Sequence, residues 1–288
     1  MDILFVTHLL NGLLMVAMPV GLALFLTWKF KLSWRLWWIG AAVFILSQVG
    51  HIPFNILVSP VFNQPAIVAL PVREQTLLSA IFLGLSAGLF EELCRYGMFR
   101  WWAKDAHSWR KGVLTGAGHG GAEAIILGLL ALYSFIQLAS VRNADLTKII
   151  PANQLTLAQQ QVRVYWSMPW PISLLAALER FLTIPIQISL AVIVLQTFVR
   201  QQWYWVWLAV LYHAIIDATA VMAASYVKGA WLEAFVAFFA LVSVGLIFIL
   251  RRPEPPEQPQ PPPLSPLPSL TLNPVDESTD NLENTRYD

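Results

Sequence analysis

The chain has 288 residues, of which 57% are apolar and 12% charged, about half the charged share of a soluble globular protein. Thirteen Trp and sixteen Phe suit a bilayer and its interfaces, and no phosphate-binding glycine loop or basic, aromatic-interleaved patch points to nucleotide or nucleic acid. The net charge of +1 averages two unlike parts: residues 1–252 carry 17 basic and 10 acidic side chains, residues 253–288 one basic and seven acidic.

The lone Cys94 excludes an internal disulfide. The first residues lack the basic start and small-residue cleavage site of a signal peptide, so they read as a retained first span. A transmembrane helix needs roughly 20 apolar residues. Seven stretches meet that length, at 3–28, 36–58, 76–101, 112–138, 170–199, 203–226 and 229–250. The expected fold is therefore an all-α transmembrane bundle. The fifth span contains Pro185, where a kink or tilt is expected. The polar segment 141–168, between the fourth and fifth spans, is the one sizeable loop and could hold a short interfacial helix, Leu155 to Trp166. After span seven, residues 253–288 read as a proline-rich and then acidic disordered tail. A solvated tail is the plain reading, and a binding segment for a cytoplasmic partner the other. The domain division is thus 1–252 and 253–288.

Lys and Arg set orientation. Ten lie on one side (Lys29, Lys31, Arg35, Arg100, Lys104, Arg110, Lys111, Arg200, Arg251 and Arg252) and five on the other (Arg73, Arg142, Lys148, Arg163 and Lys228). The richer side also has the shorter loops, which predicts the N-terminus outside and the C-terminus in the cytoplasm.

An ionisable residue at bilayer depth costs roughly 2.5–3.5 kcal/mol on insertion scales. Span three nevertheless holds Glu91, Glu92 and Arg95, span four His119 and Glu123, span five Glu179 and Arg180, and span six His213 and Asp217. These groups must face one another, a cavity or a metal. Glu91 and Arg95, His119 and Glu123, and His213 and Asp217 are each four apart and share a helical face. Adjacent Glu91 and Glu92 point about 100° apart, which predicts separate jobs. Gly116, Gly118, Gly120 and Gly121 around His119 let helix backbones approach closely.

Two histidines and several carboxylates on separate helices suit zinc or another divalent metal. A bound metal would make a water nucleophilic near neutral pH, and a nearby glutamate could take and return its proton. Without metal, a glutamate and a histidine could activate the water directly. Structural readings stand beside these. His8 reads as packed and His107 as a loop residue. Glu91–Arg95 and Glu179–Arg180 could be structural ion pairs, and His51 with Asn55 either supports the site or simply packs. The joint pattern on three spans favours a functional site, without deciding between catalysis and transport.

The ordered motifs EELCR (Glu91, Glu92, Arg95), GAGHGGAEA (His119, Glu123) and HAIID (His213, Asp217) resemble the superfamily of intramembrane metalloproteases that includes type II CAAX prenyl endopeptidases and the CPBP and PrsW families. The likeness is greatest to the YhfC-like branch, through the GHGG-x-E-A stretch, Glu179–Arg180 and the H-I-P-x-N of span two (His51, Pro53, Asn55). It covers roughly residues 35–220. The resemblance implies that Glu91 is the base or water activator, with Glu92 and Arg95 beside it. It implies that His119 and His213 bind metal or position water and that Asp217 assists, with Glu123, His51, Asn55, Glu179 and Arg180 around them. Two departures stand out: the basic residue is one position closer than in the EExxxR of the CAAX enzymes, and Asp217 replaces their Asn.

The resulting expectation is peptide-bond hydrolysis within or near the bilayer, on a membrane protein or lipid-linked peptide, in a bacterial inner membrane. A proton- or cation-coupled transporter would use the same buried groups, but the chain lacks the repeat of broken helices that transporters often show. A non-catalytic membrane scaffold is the third reading.

Overall fold

A computed structural model describes residues 2–251. The proline-rich tail expected at 253–288 lies outside the described residues. Inside a bilayer every backbone N–H and C=O must find a partner within the segment, which leaves the helix as the span available to these apolar stretches. The chain obeys this throughout, and among the described residues there is no strand. The helices are α1 (Ile3–Phe30), α2 (Arg35–Val58), the single turn α3 (Pro65–Val68), α4 (Val72–Gly97), α5 (Trp109–Ser140), α6 (Ala152–Ser167), α7 (Leu175–Val199), α8 (Tyr204–Tyr226) and α9 (Ala230–Ile249). Seven are long and apolar enough to cross a membrane: α1, α2, α4, α5, α7, α8 and α9.

Several ends differ from the hydropathy reading. The third span starts at Val72 and the fourth covers Trp109–Ser140. Hydropathy marks only the apolar middle, whereas a helix continues into its polar ends, here through Arg73, Glu74 and Gln75. Span three ends in a π-helical turn, Met98–Trp102. The helices α1, α2 and α7 run on through Pro19, Pro53 and Pro185, so Pro185 does not break its span. Neighbouring helices can satisfy the carbonyl that a proline leaves without a donor.

The loop helix is longer than expected, Ala152–Ser167 against Leu155–Trp166. Its C-terminal end is fastened to the spans. Trp166 Nε1 donates to the Leu138 carbonyl at 3.1 Å, Arg142 lies 4.1 Å above the Trp166 ring, and the His8 ring stacks on Tyr165 at 3.7 Å. Burial pushes the Tyr165 phenol up to about 12. Across the bundle, Arg35 at the start of α2 pairs with Asp105 in the loop before α5.

Core packing is set by glycine. The helix α5 lies against α1, α2 and α7, while α4 lies against α8 and α2. A Cβ at Gly116 would sit 2.7 Å from the Ile188 Cα, so only glycine lets α5 and α7 approach this closely. On the α4–α8 seam a Cβ at Gly88 would sit 2.6 Å from the Val210 carbonyl oxygen. Outward faces carry apolar residues such as Leu57, Leu241 and Ile249, the composition a lipid-facing surface needs.

Candidate functional site

Two carboxylate–histidine pairs stand side by side where α2, α4, α5, α7 and α8 meet. In the first, His119 Nε2 of α5 lies 3.0 Å from Glu91 Oε2 of α4. An ionised carboxylate only accepts, so the shared proton belongs to the imidazole. Gln48 of α2 donates through Nε2 to the other oxygen, Glu91 Oε1, at 2.9 Å. In the second pair, His213 Nδ1 of α8 lies 2.7 Å from Glu92 Oε1. Its Nε2 is 3.5 Å from Asp217 Oδ2.

The 100° step between neighbours on a helix explains the division. Glu91 is aimed at α5 and Glu92 at α8. Arg95, one turn on, lies between them. Its Nη1 donates to both oxygens of Glu92, at 2.6 and 2.9 Å, while its Nη2 is 3.9 Å from Glu91 Oε2. Glu91, Glu92, Arg95, His119 and His213 are all buried; the Asp217 side chain is 40% exposed. A guanidinium held by two carboxylates offsets charge that a helix interior could not otherwise carry.

The outer residues form two further groups. From α2, Asn55 Nδ2 donates to His51 Nε2 at 2.9 Å, and Ser86 Oγ of α4 is 3.1 Å from that same nitrogen. His51 Nδ1 is 3.3 Å from Gln48 Oε1, so His51 and Asn55 reach Glu91 through Gln48. On the other side Arg180 of α7 donates to Glu123 Oε1 at 2.5 Å and pairs with Glu179. Gln187 of α7 accepts from Arg95 Nη2 and donates to Glu123 Oε2 at 3.2 Å.

Sequence reasoning missed Gln48, Ser86, Gln187 and the buried Glu233 of α9. The amides were passed over because they carry no charge, although Gln48 stands three before His51 and Gln187 seven after Arg180, both helical spacings. Glu233 has no polar neighbour at such a spacing.

The donor set is right in type for a metal but not in arrangement. Among the described residues no three His, Cys, Asp or Glu side chains converge where an ion could sit. Each glutamate already accepts from a histidine and an amide or guanidinium. Arg95 also supplies one of the two positive charges that a dication would bring. In this arrangement the residues do not fit a metal centre. The inner group of Glu91, Glu92, Arg95, His119 and His213 leaves two buried polar atoms without a hydrogen-bond partner, Arg95 Nε and His119 Nδ1. One is a donor; the other is an acceptor when His119 is neutral with its proton on Nε2.

A seven-span bundle enclosing such a polar site is an integral membrane protein. The chain belongs to the family described as YhfC intramembrane metalloprotease, whose model matches residues 14–241. It is 30% identical to the "Uncharacterized membrane protein YhfC" of Bacillus subtilis (strain 168), over 84% of this chain and 95% of that relative. No solved structure matches.

Proposed function

We propose that the protein is an intramembrane peptidase in which Glu91 activates the attacking water without a metal. The observation that carries this reading is the buried Glu91–His119 pair, with Arg95 beside it holding an unused N–H. In the reaction, Glu91 takes a proton from water as the oxygen adds to the peptide carbonyl carbon. The oxyanion receives a hydrogen bond from Arg95 Nε. The carbon–nitrogen bond then breaks, and the proton held by Glu91 passes to the leaving amine. His119 fixes one oxygen of Glu91 and Gln48 the other. His213, backed by Asp217, holds Glu92, which holds Arg95.

The family's description supports proteolysis. An apolar groove of about 580 Å³ between α2 and α4, lined by residues including Leu46, Phe54, Phe90 and Leu93, suits a membrane-embedded substrate segment or a lipid-linked peptide arriving from the bilayer. The transporter reading is disfavoured by the arginines. A proton following the linked contacts from Glu179 to Asp217 would have to pass Arg180 and Arg95, and guanidinium neither accepts nor gives up a proton. We propose a bacterial cytoplasmic membrane on the family membership, and an N-terminus outside with the C-terminus in the cytoplasm on the Lys/Arg distribution.

The test uses detergent-purified protein with fluorescent casein and a panel of single-span peptides. Wild type is expected to cleave, while Glu91→Gln and His119→Ala, with unchanged melting temperature, do not. Equal cleavage by Glu91→Gln overturns the assignment.

A further inference from the structure

Beyond the Glu91–Glu92–Arg95 core lies a second charged group, Glu123, Arg180 and Glu179, that the hydrolysis above does not use. A single side chain joins the two. Gln187 takes a hydrogen bond from Arg95 Nη2 on its oxygen and gives one to Glu123 Oε2, at 3.2 Å, from its nitrogen. One neighbour is a cation with only donors and the other an anion with only acceptors. A single planar amide offers both complements, which an ionised carboxylate or an apolar side chain cannot. Room for it is set by α5: a Cβ at Gly120 would lie 2.8 Å from the Gln187 Cβ. Gln187 is itself buried. The linked contacts then run unbroken from Glu179 through Arg180, Glu123, Gln187, Arg95, Glu92 and His213 to Asp217.

We infer that Gln187 is a positioning residue for Arg95, an inference that rests on the hydrolase reading. Arg95 Nη1 is fixed by Glu92, but Nη2 has a choice. Glu91 Oε2 is only 3.9 Å away, and a guanidinium prefers a carboxylate to an amide. By engaging Nη2, and by being anchored to Glu123 and Arg180, Gln187 keeps that nitrogen off the base. It also leaves Nε–H without a glutamate partner. Without it, Nη2 turns to Glu91 and competes for the lone pairs that must receive the water's proton.

The experiment is a swap. Gln187→Glu alone sets two carboxylates against each other; Gln187→Glu with Glu123→Gln exchanges acid and amide and restores every hydrogen bond in the line. Casein cleavage and thermal unfolding are measured for wild type, each single variant, the double variant and Gln187→Leu. The expected result is a tenfold or greater fall in kcat for Gln187→Leu and Gln187→Glu, with KM within twofold, and recovery of most of kcat in the double variant. A residue that merely packs would leave kcat of the folded Gln187→Leu protein unchanged, and the effects of Gln187→Glu and Glu123→Gln on kcat would add. Additive effects, or an unchanged kcat in Gln187→Leu, overturn the inference while wild-type cleavage stands. If no protein cleaves, wild type included, the hydrolase reading fails and the catalytic role of Gln187 falls with it. The unfolding data then still decide the bridge: a melting temperature lost in the single variant and regained in the swap upholds it, and additivity refutes it.

Discussion

Arg95 is the side chain on which the site turns, because it is the cation both glutamates share. Removing it leaves buried carboxylates uncompensated, a change that costs about 3–5 kcal/mol. Arg95→Leu is therefore expected to lower the melting temperature sharply. Arg95→Lys, which keeps the charge, loses the paired donation to Glu92 and Gln187; it is expected to fold better than Arg95→Leu and still fail to cleave. Because no metal fits the donors as they stand, treatment with a zinc chelator is expected to leave cleavage intact; complete loss, restored by zinc, would show that the histidines rearrange around an ion. Much of this site was legible. Ionisable residues four apart on apolar spans are costly enough to announce themselves, and Glu91, Glu92, Arg95, His119, His213 and Asp217 do meet. The metal geometry read from the same residues did not emerge, since spacing fixes a helical face but not which atom bonds to which. Gln48 and Gln187 were invisible to a search keyed on charge.

Among the helices, close approach matters more than hydrophobicity, since lipid is as apolar as leucine. Gly88 on the α4–α8 seam and Gly116 on the α5–α7 seam have no space for a side chain. Gly88→Leu is expected to destabilise by at least the roughly 1–3 kcal/mol typical of overpacking and to separate Glu92 from His213. Gly245, whose Cβ direction is open, should tolerate the same change, and equal melting temperatures for the two variants would refute the packing argument. The glycines near His119 stood out in the sequence through their density. Gly84 and Gly88 did not, although they share the spacing of four. At the bundle edge, hydrogen bonding by Arg35 holds the Asp105 carboxyl below its usual range. A depressed carboxylate contributes stability above its unfolded pKa and loses it as pH falls through the folded value. Both groups are half-exposed, so the contribution is under about 1 kcal/mol. Asp105→Asn is expected to lower the melting temperature slightly at neutral pH and not at all in strong acid.

At the scale of the whole molecule, the seven spans were readable because length and apolar content decide membrane crossing. Their ends were less so, since hydropathy stops where the polar turns of Val72–Gln75 and Trp109–Lys111 begin. The proposed orientation is open to reporter fusions: a cytoplasm-active reporter is expected to work after Arg251 and a periplasm- or exterior-active one within 141–168, and the reverse pattern would invert the topology. The bundle brings polar groups from five helices into an interior that lipid would otherwise forbid. Hydrolysis by Glu91 is the use we propose for this arrangement. The most direct measurement is cleavage of casein and single-span peptides by wild type beside Glu91→Gln, both purified to equal melting temperature, with new termini identified by mass spectrometry. New termini are expected from wild type, with a loss of about 10²–10⁴-fold in rate for the variant, the range that general-base catalysis contributes. New termini formed equally fast by both proteins would contradict it.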